Sequence, residues 1–239
     1  MQIIQNTKQL DYNEFSKILP QEAEILRDFH DERVRVCIDD LKISVEFNGY
    51  KNIFFDLNKK FSYHQKFFTK NSFYKDPLAK AIGIKKGKVV HTLVDTTGGT
   101  LSDTLLMLSY GVRKIIVFER NPLVAALIFN ALRYFGHSDK IIFYPHNFKN
   151  FESIIKEADV IYFDPMYKIK KSKTAPKKEM AFFRELLDFD DDQIKLAHDL
   201  QILNHNRLVI KRSSKNPSLL DRADFTISGK STCYDVYLS

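Results

Sequence analysis

The chain has 239 residues, 44% of them hydrophobic, and a formal net charge of +7 at pH 7. That length and apolar content suffice for a full core and exclude a disordered chain, while the positive excess favours a polyanionic partner without requiring one. The two cysteines, Cys37 and Cys233, lie far apart with no metal-ligand spacing around them and read as reduced, half-buried thiols of a cytosolic protein.

The opening segment, MQIIQNTKQLDYNEF, lacks a positive stretch followed by an apolar one, so no signal peptide is visible. No apolar run approaches the roughly 20 residues of a membrane helix. The expectation is a soluble, cytoplasmic protein with no membrane partner. Residues 1–75 read as a small β-rich N-terminal region, with β-like runs at Arg33–Ile38, Ile43–Phe47 and Ile53–Leu57. They end in a basic-aromatic segment, KKFSYHQKFFTKNSFYK, over 59–75.

From Asp76 to the end, 76–239, strands and helices alternate. Asp76-Pro77 opens a helix, because an Asp cap followed by proline in the first turn suits a helix start. HTLVDTT (91–97) is a strand and SDTLLMLSYG (102–111) a helix closed by Gly111. KIIVFE (114–119) is a strand, and residues 121–136 form a helix with Asn121 as cap, Pro122 in the first turn and Gly136 beyond its end. KIIFYP (140–145) and DVIYFD (159–164) are strands with a short helix between them around Phe151–Lys156. Residues 177–204 are mostly helical, RLVIKR (207–212) is a strand, and the tail is a hairpin around Ser228-Gly229-Lys230. This order predicts an α/β fold: a mainly parallel sheet covered on both faces, with an antiparallel C-terminal edge hairpin.

In such sheets ligands lie beyond the carboxyl ends of the strands, where Asp95, Glu119 and Asp164 all fall. After Asp95 the chain turns through Gly98-Gly99, which permits close approach of a ligand, into a helix start at Ser102-Asp103 that offers unpaired N–H groups. Glu119 is placed to accept hydrogen bonds from ribose hydroxyls. The sequence has no P-loop, and Asp95 and Asp103 would repel a pyrophosphate. They suit a nucleoside cofactor with a cationic end, such as S-adenosylmethionine. The stretch VIYFDPMY (160–167) ends a buried strand on Asp-Pro-Met-Tyr. The Asp164 carboxylate or the Pro165 carbonyl can orient the N–H groups of an exocyclic amine, and Tyr167 can stack on the base that carries it. A paired base would first have to leave its stack.

These residues resemble the bacterial small-subunit ribosomal RNA guanine-N2 methyltransferases of the RsmJ type, a branch of the class I S-adenosylmethionine-dependent methyltransferases. The likeness rests on LAKAIGIK (78–85), VDTTGG with the following SD (94–103), FERNPLVAAL (118–127), VIYFDPMY (160–167), KKEM (177–180) and LVIKR (208–212), in the family's order. It implies a Rossmann-like fold and methyl transfer to the exocyclic N2 of a guanine in 16S ribosomal RNA, free or in the small ribosomal subunit. By position it puts Ser102 and Asp103 beside the methionine moiety, Glu119 and Arg120 on the ribose and adenine side, and Asp164 at the transfer centre. Asn147 and Phe148, in the loop HNFKN (146–150), are the positional counterparts of a further cofactor contact. Two features depart from the family: Leu101 stands where members carry a further glycine, and the N-terminal region matches weakly.

Two basic stretches flank the expected site, KIKKSKTAPKK (168–178) and the 59–75 segment, and both suit RNA, since lysines neutralise phosphates and aromatic rings stack on exposed bases. His64 and His146 receive no catalytic role, and no metal is expected. Two other readings stand beside this one. The same Asp-Pro-x-Tyr geometry would serve an amino-methyltransferase of DNA adenine or of a protein amide. The Leu101 departure would fit a non-catalytic ribosome-binding relative.

Overall fold

The computed structural model describes residues 1–70, 72–165, 182, 185–186, 192–203 and 206–239. Strands β1 (Gln2–Gln5) and β2 (Lys8–Leu10) form a hairpin. Helices α1 (Tyr12–Ile18) and α2 (Pro20–Ile25) follow, and then strands β3 (Val34–Asp39), β4 (Lys42–Phe47) and β5 (Tyr50–Ile53) form a meander. Asp11 starts α1 reciprocally: its carboxylate accepts the Glu14 N–H at 2.8 Å, and the Glu14 carboxylate accepts the Asp11 N–H at 3.1 Å. The five strands lie in the order β2-β1-β3-β4-β5, with β1 parallel to β3 and the other neighbours antiparallel.

The β-like run expected over Ile53–Leu57 stops being a strand at Ile53. The Asp56 side chain accepts the Lys59 N–H at 2.9 Å, and this cap starts helix α3 (Leu57–Lys70), overriding the strand preference of Phe54 and Phe55. The first part of the basic-aromatic segment is therefore helical.

Helix α4 (Pro77–Ala81) opens as expected, with the Asp76 carboxylate accepting the Leu78 N–H at 2.9 Å. Strand β6 (Thr92–Asp95), helix α5 (Ser102–Ser109), strand β7 (Lys114–Phe118), helix α6 (Pro122–Leu132), strand β8 (Ile141–Tyr144), helix α7 (Glu152–Lys156) and strand β9 (Val160–Phe163) then alternate. Helix α8 (Gln193–Ile202), strand β10 (Arg207–Ser213) and the hairpin of β11 (Phe225–Ser228) with β12 (Thr232–Leu238) complete the chain. The other residues of the helical stretch expected over 177–204, apart from Phe182, Glu185, Leu186, Asp192 and Leu203, lie outside the described residues. Asn121 caps α6 by accepting the Leu123 and Val124 N–H groups at 3.0 and 3.1 Å. Gly136 does not close that helix. It ends at Leu132, and three successive turns, through Arg133, Tyr134 and Phe135, carry the chain away before Gly136 is reached.

The second sheet has seven strands in the order β11-β12-β10-β9-β6-β7-β8. The five from β10 to β8 are parallel, while β12 pairs antiparallel with β10 and β11 antiparallel with β12, as the order of elements predicted. Side chains alternate between its faces. Leu93, Val117, Val160 and Tyr162 join a core continuous with the N-terminal sheet, whereas Val94, Phe118, Ile161 and Phe163 pack with Ile155, Leu196 and Leu200 of α7 and α8. A buried polar knot ties the two sheets. Asn130 on α6 accepts the Ile43 N–H at 3.0 Å and donates to Glu22 and to the Leu41 carbonyl, both at 2.9 Å, while Arg133 pairs with the fully buried Glu22 at 2.9 Å. The chain runs from β6 outward through β7 and β8, then returns to lay β9 and β10 on the other side of β6. The strand order thus reverses between β6 and β9, which opens a crevice at the carboxyl ends there. No helix among the described residues is long and apolar enough to cross a membrane.

Candidate active site

Five adjacent strands deliver their carboxyl ends to one edge, and the chemistry-bearing residues follow the strand order: Lys211 from β10, Asp164 after β9, Asp95 at the end of β6, Glu119 after β7, and Asn147 and Phe148 after β8. Between β6 and α5 the turn lies directly on β7. The Gly98 N–H donates to the Phe118 carbonyl at 2.8 Å, and a Cβ at Gly98 would stand 2.9 Å from Val117 Cγ1. Only glycine fits that approach. Leu101 adopts the left-handed conformation that glycine favours (φ +57°, ψ 15°) with its side chain fully buried. The departure from the family pattern therefore falls where a glycine would meet no backbone strain, and the leucine offsets a cost of about 1–2 kcal/mol by packing into the core.

Two of the acids are held by the turn itself. Asp95, 1% exposed, accepts the Thr97 N–H at 3.0 Å and the Thr104 hydroxyl at 2.5 Å. Burial pushes its carboxyl up to about 7 against these hydrogen bonds. Glu119 accepts the Gly99 N–H on one oxygen and the Asn121 N–H on the other, both at 2.8 Å, so one carboxylate braces the glycine turn and the start of α6 together. Burial raises its pKa too, opposed by those backbone donors. Each oxygen keeps a second lone pair for a ligand hydroxyl.

The other acids share a lysine that the sequence reading did not single out. Lys211 Nζ lies 2.7 Å from Asp103 Oδ2 and 2.9 Å from Asp164 Oδ2, and the Tyr162 hydroxyl donates to the same Asp103 oxygen at 2.5 Å. Burial alone would lower the Lys211 pKa, but the two carboxylates outweigh it and raise it above the ordinary lysine value. Asp164 is raised by burial and by Asp103 and pulled back by Lys211. Among the described residues no group donates to Asp164 Oδ1, while its backbone N–H is fixed on the Thr97 hydroxyl at 2.8 Å.

These residues line one cleft of about 580 Å³, in the range of small-molecule sites. It brings together Asp95, Gly98, Gly99, Ser102 and Asp103 on the turn, Glu119 and Arg120 after β7, Asn147 and Phe148 after β8, and Asp164 and Pro165 after β9. Arg120 lines the wall with its guanidinium turned onto Asp192, at 3.1 and 3.3 Å. Asn147 caps its own turn by accepting the Lys149 N–H at 3.2 Å, and Phe148 is buried. Tyr167, the KKEM stretch at 177–180 and the basic stretch 168–178 lie outside the described residues. Tyr162 and Lys211 were missed for different reasons. Tyr162 sits in a wholly apolar strand where its ring reads as core, whereas Lys211 shared the signal that exposed the acids, a charge at a strand's carboxyl end.

The cleft fits a nucleoside cofactor with a cationic amino-acid end. Glu119 offers acceptors for a diol, Asp103 an acceptor for an ammonium, and the first turn of α5, which has no side-chain cap, offers N–H groups for a carboxylate. Even without Asp95, which burial pushes toward its protonated form, Asp103, Glu119 and Asp164 outnumber the lining cations Lys211 and Arg120, a balance that favours a cation.

A family model described as "Putative SAM-dependent methyltransferase" matches residues 23–239. Ribosomal RNA small subunit methyltransferase J of Buchnera aphidicola subsp. Schizaphis graminum is 35% identical over 206 residues, covering 82% of this chain and 77% of that protein. The protein of the same name from Actinobacillus pleuropneumoniae serotype 5b is 34% identical over 174 residues, covering 69% of this chain and 68% of its own length. The solved structure of MtNAS in complex with MTA and tNA overlays with a TM-score of 0.44 at 16% identity, over 96% of this chain and 89% of that one, a likeness too distant to argue from.

Proposed function

The chain belongs to the family of SAM-dependent methyltransferases that contains the ribosomal RNA small subunit methyltransferases J, and on that premise we propose that it methylates the exocyclic N2 amine of a guanine in 16S ribosomal RNA, in the cytoplasm. S-adenosylmethionine supplies an electrophilic methyl group when bound. Glu119 holds the ribose hydroxyls. Ser102 and Asp103 at the start of α5 hold the amino-acid end, with Gly98 and Gly99 letting the backbone come close. Asn147 and Phe148 flank the adenine from the loop after β8, while Arg120 steadies that wall through Asp192.

The observation that carries this reading is the position of Asp164. Its carboxylate stands at the mouth of the cleft on the end of β9, fixed through one oxygen by Lys211 and through its backbone by Thr97. An exocyclic amine is a weak nucleophile because its lone pair is delocalised into the ring. Asp164 Oδ1 and the Pro165 carbonyl accept its two N–H bonds, which turns the nitrogen lone pair toward the methyl donor. Such positioning supplies much of the rate in a transfer that needs no strong base, since the methylated nitrogen loses its proton to water. Lys211 acts through Asp164: a lysine 2.9 Å from a carboxylate that burial pushes toward protonation opposes that push and favours the ionised form, the one able to accept.

The test offers labelled cofactor with assembled small subunits, naked 16S RNA, DNA and peptide. Wild-type protein labels guanine N2 in RNA, and Asp164→Ala binds cofactor with normal affinity but transfers no label. Label on DNA or peptide instead, or a wild-type rate from Asp164→Ala, overturns the assignment.

A further inference from the structure

Helix α3 carries features that neither the core nor the cleft accounts for. Its buried side, Leu57 and Phe61, enters the shared core, and Phe68 packs against that core. On the outer side Tyr63 is 69% and Phe67 50% exposed, one helical turn apart, with Lys59 and Lys66 exposed on the same face. Each ring is braced from behind by its neighbour. Tyr63 meets His64 edge to face at 5.7 Å between centroids, and Phe67 meets Phe68 at 5.1 Å. The helix, LNKKFSYHQKFFTK, contains four lysines and no acid. A helix whose own sequence carries four lysines and no acid complements a polyanion, and braced rings spaced among them are the combination with which proteins hold single-stranded nucleic acid: stacking for the bases, cations for the backbone.

Its location links this face to the cleft. Helix α3 packs along α5, whose first residues, Ser102 and Asp103, line the site. Lys60 Nζ reaches the carbonyl of Thr100, another lining residue, at 3.3 Å. Tyr63 and Phe67 follow at about 4.5 and 10.5 Å further along the helix axis, at 1.5 Å per residue. A base presented to Asp164 thus has neighbouring nucleotides within reach of the stripe.

We propose that the outer face of α3 is an RNA platform, on which Tyr63 and Phe67 stack with bases flanking the target nucleotide while Lys59 and Lys66 neutralise the phosphates between them. This rests on the reading of the protein as an RNA methyltransferase and extends it from the transfer centre to the surface that aligns the strand. It predicts that catalysis on a bound strand and cofactor affinity are independent of these side chains, and that capture of the strand is not.

Two variants test it in the full chain, Tyr63→Ala with Phe67→Ala and Lys59→Gln with Lys66→Gln, with Tyr63→Phe as the conservative control. All alter exposed side chains, and calorimetric titration with S-adenosylhomocysteine, expected to be unchanged, reports an intact fold. The ring variant raises KM for naked 16S RNA about tenfold or more with kcat within twofold, whereas Tyr63→Phe stays near wild type. The lysine variant lowers the slope of log affinity against log salt by about 1.4, from about 0.7 per phosphate contact on a single strand. A wild-type KM and salt slope in both variants overturns the proposal while leaving the methyltransferase reading intact. A loss seen with assembled subunits but not with naked RNA also overturns it, by assigning the face to a ribosomal protein. Wild-type protein that methylates no RNA sinks the underlying reading instead.

Discussion

Replacing Lys211 by methionine removes one cation from between two carboxylates while keeping the length and apolar stem of the side chain. In the structure the ammonium lies 2.7 Å from Asp103 and 2.9 Å from Asp164, and Lys211 is 21% exposed. Breaking a buried pair by deleting one partner costs about 3–5 kcal/mol. The Asp164 side chain is 34% exposed at the cleft mouth, so water screens part of that, leaving about 2–3 kcal/mol spread over two acids. The share that falls on Asp164 makes its carboxylate harder to ionise in the variant. The sign follows from the direction of the existing shifts. Burial already raises Asp164 and Lys211 pulls it back, so losing Lys211 lets the pKa climb further and confines the ionised, accepting form to higher pH. Lys211 itself, raised above the ordinary lysine value, stays charged across any practical assay range and contributes no titration of its own. Measured as kcat/KM against pH, the acidic limb of Lys211→Met lies above that of wild type. Activity is down about tenfold below the limb and approaches wild type on the alkaline side. An unmoved limb refutes the positioning role of Lys211, and a uniform loss at every pH refutes its action through Asp164.

Glu119→Gln keeps the shape but replaces one acceptor oxygen by an amide donor facing a backbone N–H of Gly99 or Asn121, which leaves a buried donor unpaired at about 1–3 kcal/mol. Calorimetry is expected to show cofactor binding weakened by about tenfold to a hundredfold, and unchanged binding excludes Glu119 from the cofactor site. Asp95 is pushed from 3.8 up to about 7, so the native state holds its proton where the unfolded chain has lost it, and stability falls as pH rises between those values. Asp95→Asn, whose amide can still accept from Thr97 and donate to Thr104, flattens that dependence, and melting temperatures at pH 5 and 7 that differ equally in both proteins contradict it. Gly98→Ala drives a Cβ to 2.9 Å from Val117 and 3.3 Å from the Phe118 carbonyl, and denaturant unfolding should show a loss of about 1–3 kcal/mol.

The parallel sheet and its hairpin were legible because β6, β7 and β9 are short apolar runs each followed by a turn signal, and because Asp76 and Asn121 stand before prolines as helix caps. The acids were legible for the same reason: a charge immediately after a buried strand can lie only at the sheet's edge, and Asp95, Glu119 and Asp164 do share one cleft. The N-terminal strands β1 and β2, of four and three residues, are too short for alternation to be visible, although the Asp11–Glu14 capping box before α1 was a readable signal. Ile53–Leu57 misled because Phe54 and Phe55 favour strands while a single side-chain cap at Asp56 decided for helix. Contacts between residues far apart in the chain left no spacing pattern at all. Lys211 meets Asp103 across 108 positions and Asn130 meets Glu22 across another 108, and only the folded chain brings these together.

The central claim is that Asp164, at the edge of β9, presents a guanine amine for methylation. Mass mapping of modified nucleotides in 16S ribosomal RNA tests it most directly, in cells that lack the protein and are supplied with either the wild-type chain or Asp164→Ala at equal abundance. The account predicts one N2-methylguanine that wild type restores and Asp164→Ala does not. Restoration by both chains, or a map that is the same with and without the protein, contradicts it.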